Sequence, residues 1–152
     1  MIGIGLAFIL ATTLAAAEPP PPPVNITVTA VHATHEKRAE KFFDPGIEGL
    51  RSAVADLEFD TYKKIRRETL RAPFNRDTTL ELTPKYTLAI TPISKESKNQ
   101  IRVKVCVQMP PRAPGARPVN ALDTTLLISP GKQVKLRGLK LDPGELVIIL
   151  SL

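Results

Sequence analysis

From Ile101 to Met109 apolar and polar side chains alternate without interruption. Ile101, Val103, Val105, Val107 and Met109 hold one phase, and Arg102, Lys104, Cys106 and Gln108 hold the other. Successive side chains leave a strand on opposite sides, so a period of two marks a β-strand with one buried face. Such a strand needs partners beside it and an apolar layer over it. The rest of the chain supplies them. Val24, Ile26, Val28 and Ala30 alternate with Asn25, Thr27 and Thr29, and His32 continues the inward series. Thr79–Thr83 alternates around Leu80 and Leu82, and Pro84-Lys85 predicts a tight turn into Tyr86, Leu88 and Ile90. Polar Ser94–Asn99 predicts a second turn, and Pro110–Pro118 a proline-rich loop. Leu122, Thr124, Leu126 and Ile128 mark a further strand, with Val134 and Leu136 in a short one. Asp142-Pro143-Gly144 turns into Leu146–Leu152, whose near-continuous apolar run predicts a strand covered on both faces.

One helix interrupts this pattern. Asp44 is a good N-cap and Pro45 suits the first helical position. Ile47, Leu50, Val54 and Leu57 follow at spacings of three, four and three, which predicts a helix over 45–57 with one apolar stripe. Residues 59–71 fit a helix or a strand. Asp60 and Thr61 break the helical charge pattern, and Phe59, Tyr62, Ile65 and Thr69 are strand-forming types, so a strand is preferred. The expected fold is mainly β (α+β): an antiparallel sheet, sandwich or partly open barrel of about seven or eight strands with the helix packed on it.

Ahead of the fold, residues 1–17 read as a secretory signal peptide. An apolar run from Ile2 to Leu14 is followed by Ala15-Ala16-Ala17, an A-x-A cleavage pattern, and the first charged side chain is Glu18. The run is shorter than the roughly 20 residues of a membrane span. Pro19–Pro23 cannot join a helix or sheet and predicts a stiff spacer over 18–23, leaving 24–152 as one β-rich domain. No transmembrane span is expected in the mature chain. The single cysteine, Cys106, excludes an internal disulfide and a lipid-anchor cysteine after the apolar run, so the domain rests on its core. Export without disulfides favours a bacterial envelope, with a periplasmic or extracellular product.

Catalytic chemistry has few candidates. His32 and His35, beside Glu36, offer a zinc donor set, but on a strand they face opposite sides and would need a turn between them. Cys106 is a candidate nucleophile if His32 or His35 serves as its base and Lys104 lowers its pKa. The simpler reading is two solvent-facing histidines at a strand end and a small residue on a polar face. No serine lies in a G-x-S-x-G elbow, and Gly46–Gly49 lacks the lysine of a phosphate loop. Aromatic content is 5% with no Trp, which argues against stacking platforms for sugars or single-stranded nucleic acid, and no specific nucleic acid is expected.

The formal charge of +6 is the other signal. Lys63, Lys64, Arg66, Arg67 and Arg71 form the densest basic cluster, and Arg102 and Lys104 share one strand phase. Such patches attract polyanions or an anionic membrane surface, here an anionic envelope polymer. The alternative is a solvated face interspersed with Glu48, Glu58, Asp60, Glu68 and Glu81.

The order of elements is a strand over Val24–Ala33, the capped helix, the Phe59–Leu70 segment and a β-rich remainder ending Pro-Gly-Glu-Leu-Val-Ile-Ile-Leu-Ser-Leu. In this it resembles small uncharacterised exported proteins of myxobacteria and related deltaproteobacteria. The resemblance implies an envelope location and brings no catalytic residues. The expectation is therefore an exported, non-catalytic binding or assembly module without a cofactor. Its sheet edges or basic face would contact another envelope protein.

Overall fold

The computed structural model describes residues 19–152, so the expected signal peptide at 1–17 lies outside it. The described chain carries nine strands: β1 (Val24–Thr34), β2 (Phe42–Phe43), β3 (Thr61–Ala72), β4 (Thr78–Thr83), β5 (Tyr86–Lys95), β6 (Ile101–Met109), β7 (Val119–Ile128), β8 (Gln133–Leu141) and β9 (Gly144–Ser151). They form a first sheet in the order β2-β3-β1-β9-β8 and a second in the order β4-β5-β6-β7. Every pairing is antiparallel except the two-residue β2 against β3. The chain builds three strands of the first sheet, crosses to lay down the second as a meander, and returns with β8 and β9. The sheets stay separate, so the architecture is a sandwich and no barrel closes.

Alternation explains the main core. Ile26, Val28 and Ala30 of β1 and Leu146, Ile148 and Leu150 of β9 face Leu88 and Ile90 of β5 and Val103, Val105 and Val107 of β6. The strand Ile101–Met109 keeps the phase expected of it, and Arg102 and Lys104 point outward. β9 is buried from Leu146 to Leu150, because Val147 and Ile149 enter a second cluster on the outer side of the first sheet. Two groups tie the layers together at their margins. The Tyr86 hydroxyl donates to the Lys140 carbonyl at 2.7 Å, and the Arg66 guanidinium donates to the Glu81 carbonyl at 2.7 Å.

The second cluster lies under residues 45–57. Val31, Ala33, Tyr62, Val147 and Ile149 of the sheet meet Ile47, Leu50, Val54, Leu57 and Phe59. The apolar stripe is therefore as expected, but a single α-helix over 45–57 is not. Pro45–Leu50 is a 3-10 helix and only Arg51–Val54 is α-helical. Gly46 and Gly49 weaken the α-helix, and the spacing of three from Ile47 to Leu50 suits the three-residue turn. Asp44 does cap the segment: its carboxylate accepts from the Gly46 N–H at 3.0 Å and, across the gap, from the Lys64 N–H at 3.4 Å. Lys135 of β8 pairs with Asp56 at 2.8 Å and fastens the far end.

Residues 59–71 resolve as the preferred strand, with one irregularity that decides how it packs. Ala30 pairs with Arg66 but Val31 pairs with Lys64, so Ile65 is an extra residue without a partner. This β-bulge reverses the phase of β3. Before it, Tyr62 faces the outer cluster; after it, Leu70 and Ala72 face the sandwich core. A second bulge spans Arg137 and Gly138 in β8, where Gly138 takes φ +91°, a conformation that suits glycine. β8 is correspondingly longer than the short strand expected around Val134 and Leu136. At the start of β9 a Cβ on Gly144 would lie 2.0 Å from the Ala33 carbonyl oxygen, so only glycine lets the turn approach β1.

Candidate functional site

The outer face of the first sheet is partly covered by the helical segment, whereas that of the second sheet carries no covering layer. β4 to β7 present polar and small side chains there in register: Cys106 beside Ala89 and Asp123, and Lys104 beside Thr91 and Thr125. Asp77, Thr79, Lys104, Cys106, Asn120 and Asp123 help line a shallow hollow of about 220 Å³. The Asn120 side-chain carbonyl accepts from the Cys106 thiol at 3.4 Å and from Gln108 Nε2 at 3.2 Å. Thr91 donates to the Asp77 carboxylate.

The thiol in this hollow is not activated. Burial pushes its pKa up, and the nearby Asp123 and Asp77 carboxylates add to that against the opposing pull of Lys104. The expected lowering by cations is therefore corrected: the carboxylates and desolvation prevail. Nor does a base stand near. Cys106 points outward from the second sheet, while His32 and His35 belong to the first-sheet side of the sandwich, so the expected Cys–His pair is not assembled. The two histidines are also apart in role. His32 Nε2 lies 3.0 Å from the Leu141 carbonyl oxygen, and His35 packs its ring 4.8 Å from that of Phe59. Among the described residues no group of three or more His, Cys, Asp and Glu side chains could hold a metal ion.

The seven basic residues likewise do not form one surface, because strand alternation and the Ile65 bulge divide them. Lys63 pairs with Glu36 at 3.3 Å and Arg66 with Glu68 at 2.8 Å. Lys64 lies over Gly46. Arg67 and Arg71 flank Thr69 on the outer face of the first sheet, opposite Thr29 and Asn25. Arg102, paired with Glu96 at 3.1 Å, and Lys104 lie on the far side of the sandwich.

The sheet edges differ sharply. An edge strand exposes unpaired N–H and C=O groups, and soluble proteins guard such edges with basic residues, bulges or short length. Beyond Tyr62, β3 is an edge guarded by Lys63, Lys64, Arg66, Arg67 and Arg71 and by its bulge. β8 carries Lys135, Arg137, Lys140 and a bulge, over which the Glu145 carboxylate accepts from Arg137 and from the Gly138 N–H. β4 is six residues long, with its Glu81 carbonyl occupied by Arg66. β7 is ten residues long, carries one charge, Asp123, and leaves Leu127 43% exposed. A bulge leaves Ala121 unpaired near its start, and from Leu122 to Ile128 it pairs with β6 without a register shift. This open edge is adjacent to the bare outer face. The alternation around Leu122–Ile128 marked the strand in the sequence, but its place at an edge depends on topology.

The Pro19–Pro23 run meets the fold at one end, where Pro21, Pro22 and Pro23 help line a cleft of about 290 Å³ with Phe74, Ile101 and Leu152. Among the described residues no helix is long and apolar enough to cross a membrane. Comparison with protein-family models, with curated proteins and with solved structures gives no match to this chain, so its function must be read from its own geometry.

Proposed function

We propose that this chain is a non-catalytic binding or assembly module that accepts an extended polypeptide segment as an added strand on β7. The observation that carries the reading is the contrast between edges. β3 and β8 are guarded by basic side chains and mid-strand bulges and β4 is short, whereas β7 is long, nearly uncharged and regular from Leu122 to Ile128, beyond a bulge at Ala121 near its start. Strand addition draws affinity from main-chain hydrogen bonds and specificity from alternate side chains. The bare face beside β7 would extend the contact. The apolar run Ile2–Leu14 with Ala15-Ala16-Ala17 supports export, and the lone cysteine supports a bacterial envelope, where the partner would be another envelope protein.

Selection of linear peptides from a displayed library on the immobilised full-length chain tests this. The expected result is a set of extended peptides that bind the natural chain and fail on Leu127→Lys, which adds a guard at an exposed position. Peptides indifferent to that substitution would refute the reading.

A second reading rests on Arg67 and Arg71. They share one outer face and make no ion pair among the described residues, unlike Lys63, Arg66 and Arg102. That arrangement favours contact with an anionic envelope polymer. Heparin retention at low salt that is lost in Arg67→Glu/Arg71→Glu supports it, and retention unchanged by the substitutions refutes it.

A further inference from the structure

Resting on the strand-adding reading above, we infer that the segment received by β7 is the β7 of a second copy of this chain, paired antiparallel across a two-fold axis at Thr124. A closed two-fold contact requires the same patch on both partners, with residue i facing j and j facing i. Side chains paired across antiparallel strands point to the same side, so two sandwiches can share one continuous sheet of four strands from each copy. The sequence of β7 is self-complementary in one such register. With Thr124 opposite itself, Leu122 meets Leu126 on the core side. Asp123 meets Thr125 on the outer side. Moving the axis to Asp123 sets two carboxylates against each other, and moving it to Thr125 sets Asp123 against Leu127. Of these three axes, only Thr124 pairs apolar with apolar and polar with polar over Leu122–Leu126.

Charge complementarity selects the same register. Within one copy, Lys104 of β6 lies beside Thr125 of β7. Across the axis the next residue in that row is Asp123 of the second copy. Two strand spacings separate Lys104 from it, about 10 Å between backbones, which a lysine stem crosses over the small Thr125 side chain. Neither Lys104 nor Asp123 has an ion-pair partner among the described residues. The two-fold makes two such pairs. They sit on the bare outer face, where no layer of either copy obstructs them.

The test is a reciprocal charge swap read by sedimentation velocity on the full-length chain. The natural chain is expected to show a concentration-dependent monomer–dimer equilibrium. Asp123→Lys and Lys104→Asp each set like charges across the axis, and each should weaken the dimer by about tenfold or more. The double variant restores opposite charges and should return the affinity close to that of the natural chain. Association through the apolar run 2–14 would be blind to these substitutions, so rescue by the swap reports on β7 alone. Circular dichroism confirms that each variant folds. A natural chain that stays monomeric, or a dimer unaffected by the single substitutions, overturns the inference. If the chain is monomeric yet its selected peptides are still lost in Leu127→Lys, only the second copy is excluded and strand addition stands. If those peptides are also indifferent, both fail.

Discussion

Deleting Ile65 together with Arg66 should damage this protein far more than deleting or truncating Ile65 alone. The side chain itself is 37% exposed, so Ile65→Ala removes little buried surface and should cost less than about 1 kcal/mol. The backbone of Ile65, however, is the extra residue that lets Tyr62 face the outer cluster while Leu70 faces the sandwich core. Without Ile65 alone, β3 pairs with β1 residue for residue, and Tyr62 stays opposite Ala33 and Leu70 opposite Ile26; without Ile65 and Arg66, Tyr62 and Leu70 stand six residues apart, in one phase, against seven between Ile26 and Ala33. Either Tyr62 or Leu70 must then leave its cluster. A tyrosine buries about 150–250 Å², so at about 25 cal/mol per Å² its loss costs up to about 4–6 kcal/mol. Loss of a buried leucine costs about 2–5 kcal/mol. The double deletion should therefore destabilise by at least about 2 kcal/mol whichever end of β3 yields, and the deletion of Ile65 alone should be mild. Urea unfolding followed by far-ultraviolet circular dichroism measures these variants, and tyrosine fluorescence shows whether Tyr62 has moved. A double deletion as mild as the deletion of Ile65 alone, with unchanged tyrosine emission, would refute the role given to the bulge.

Tyr62→Phe removes a buried hydroxyl that donates to the Phe59 and Leu57 carbonyls, at 2.9 and 3.2 Å, and should cost about 1–2 kcal/mol in the same unfolding assay. Asp60 is held below its ordinary value of 3.8 first by the Glu36 N–H, with the Thr61 hydroxyl and the Arg38 N–H adding to it. A depressed carboxylate stabilises fully above its unfolded pKa and loses that contribution as pH falls through the folded one. Asp60→Asn should thus melt below the natural chain at pH 7, and the gap should narrow as pH drops below about 4. Cys106, raised chiefly by burial and then by Asp123, should be alkylated in the native chain with a pH profile lying above that of the same thiol in denaturant.

Much of this fold is legible because strands with one buried face repeat every two residues. Ile101–Met109 and Val24–Ala30 announce both strand and facing, and Leu146–Leu150 announces a strand covered twice. What is not legible depends on neighbours. Nothing local at Lys64-Ile65-Arg66 marks a bulge, because Ile65 is extra only against the pairing of β3 with β1 and not within β3 alone. The stripe Ile47–Leu50–Val54–Leu57 identifies a buried helical face, but its mixed spacing and two glycines leave the helix type to packing. Adjacent basic residues at 63–71 look like one patch in the sequence, yet a strand divides neighbours between two faces. The histidines and Cys106 illustrate the same point across the sandwich: which sheet each strand joins decides whether they meet. The openness of β7 is a property of strand order and cannot be read from Val119–Ile128 itself.

Hydrogen exchange of the backbone amides on the four sheet edges tests the central claim most directly. It is measured on the full-length chain, dilute and then at high concentration or with a selected peptide. Binding by strand addition predicts that the outward amides of β7 become protected while those of β3, β4 and β8 exchange as before. Protection that develops on β3 or β8, with β7 unchanged, would contradict it.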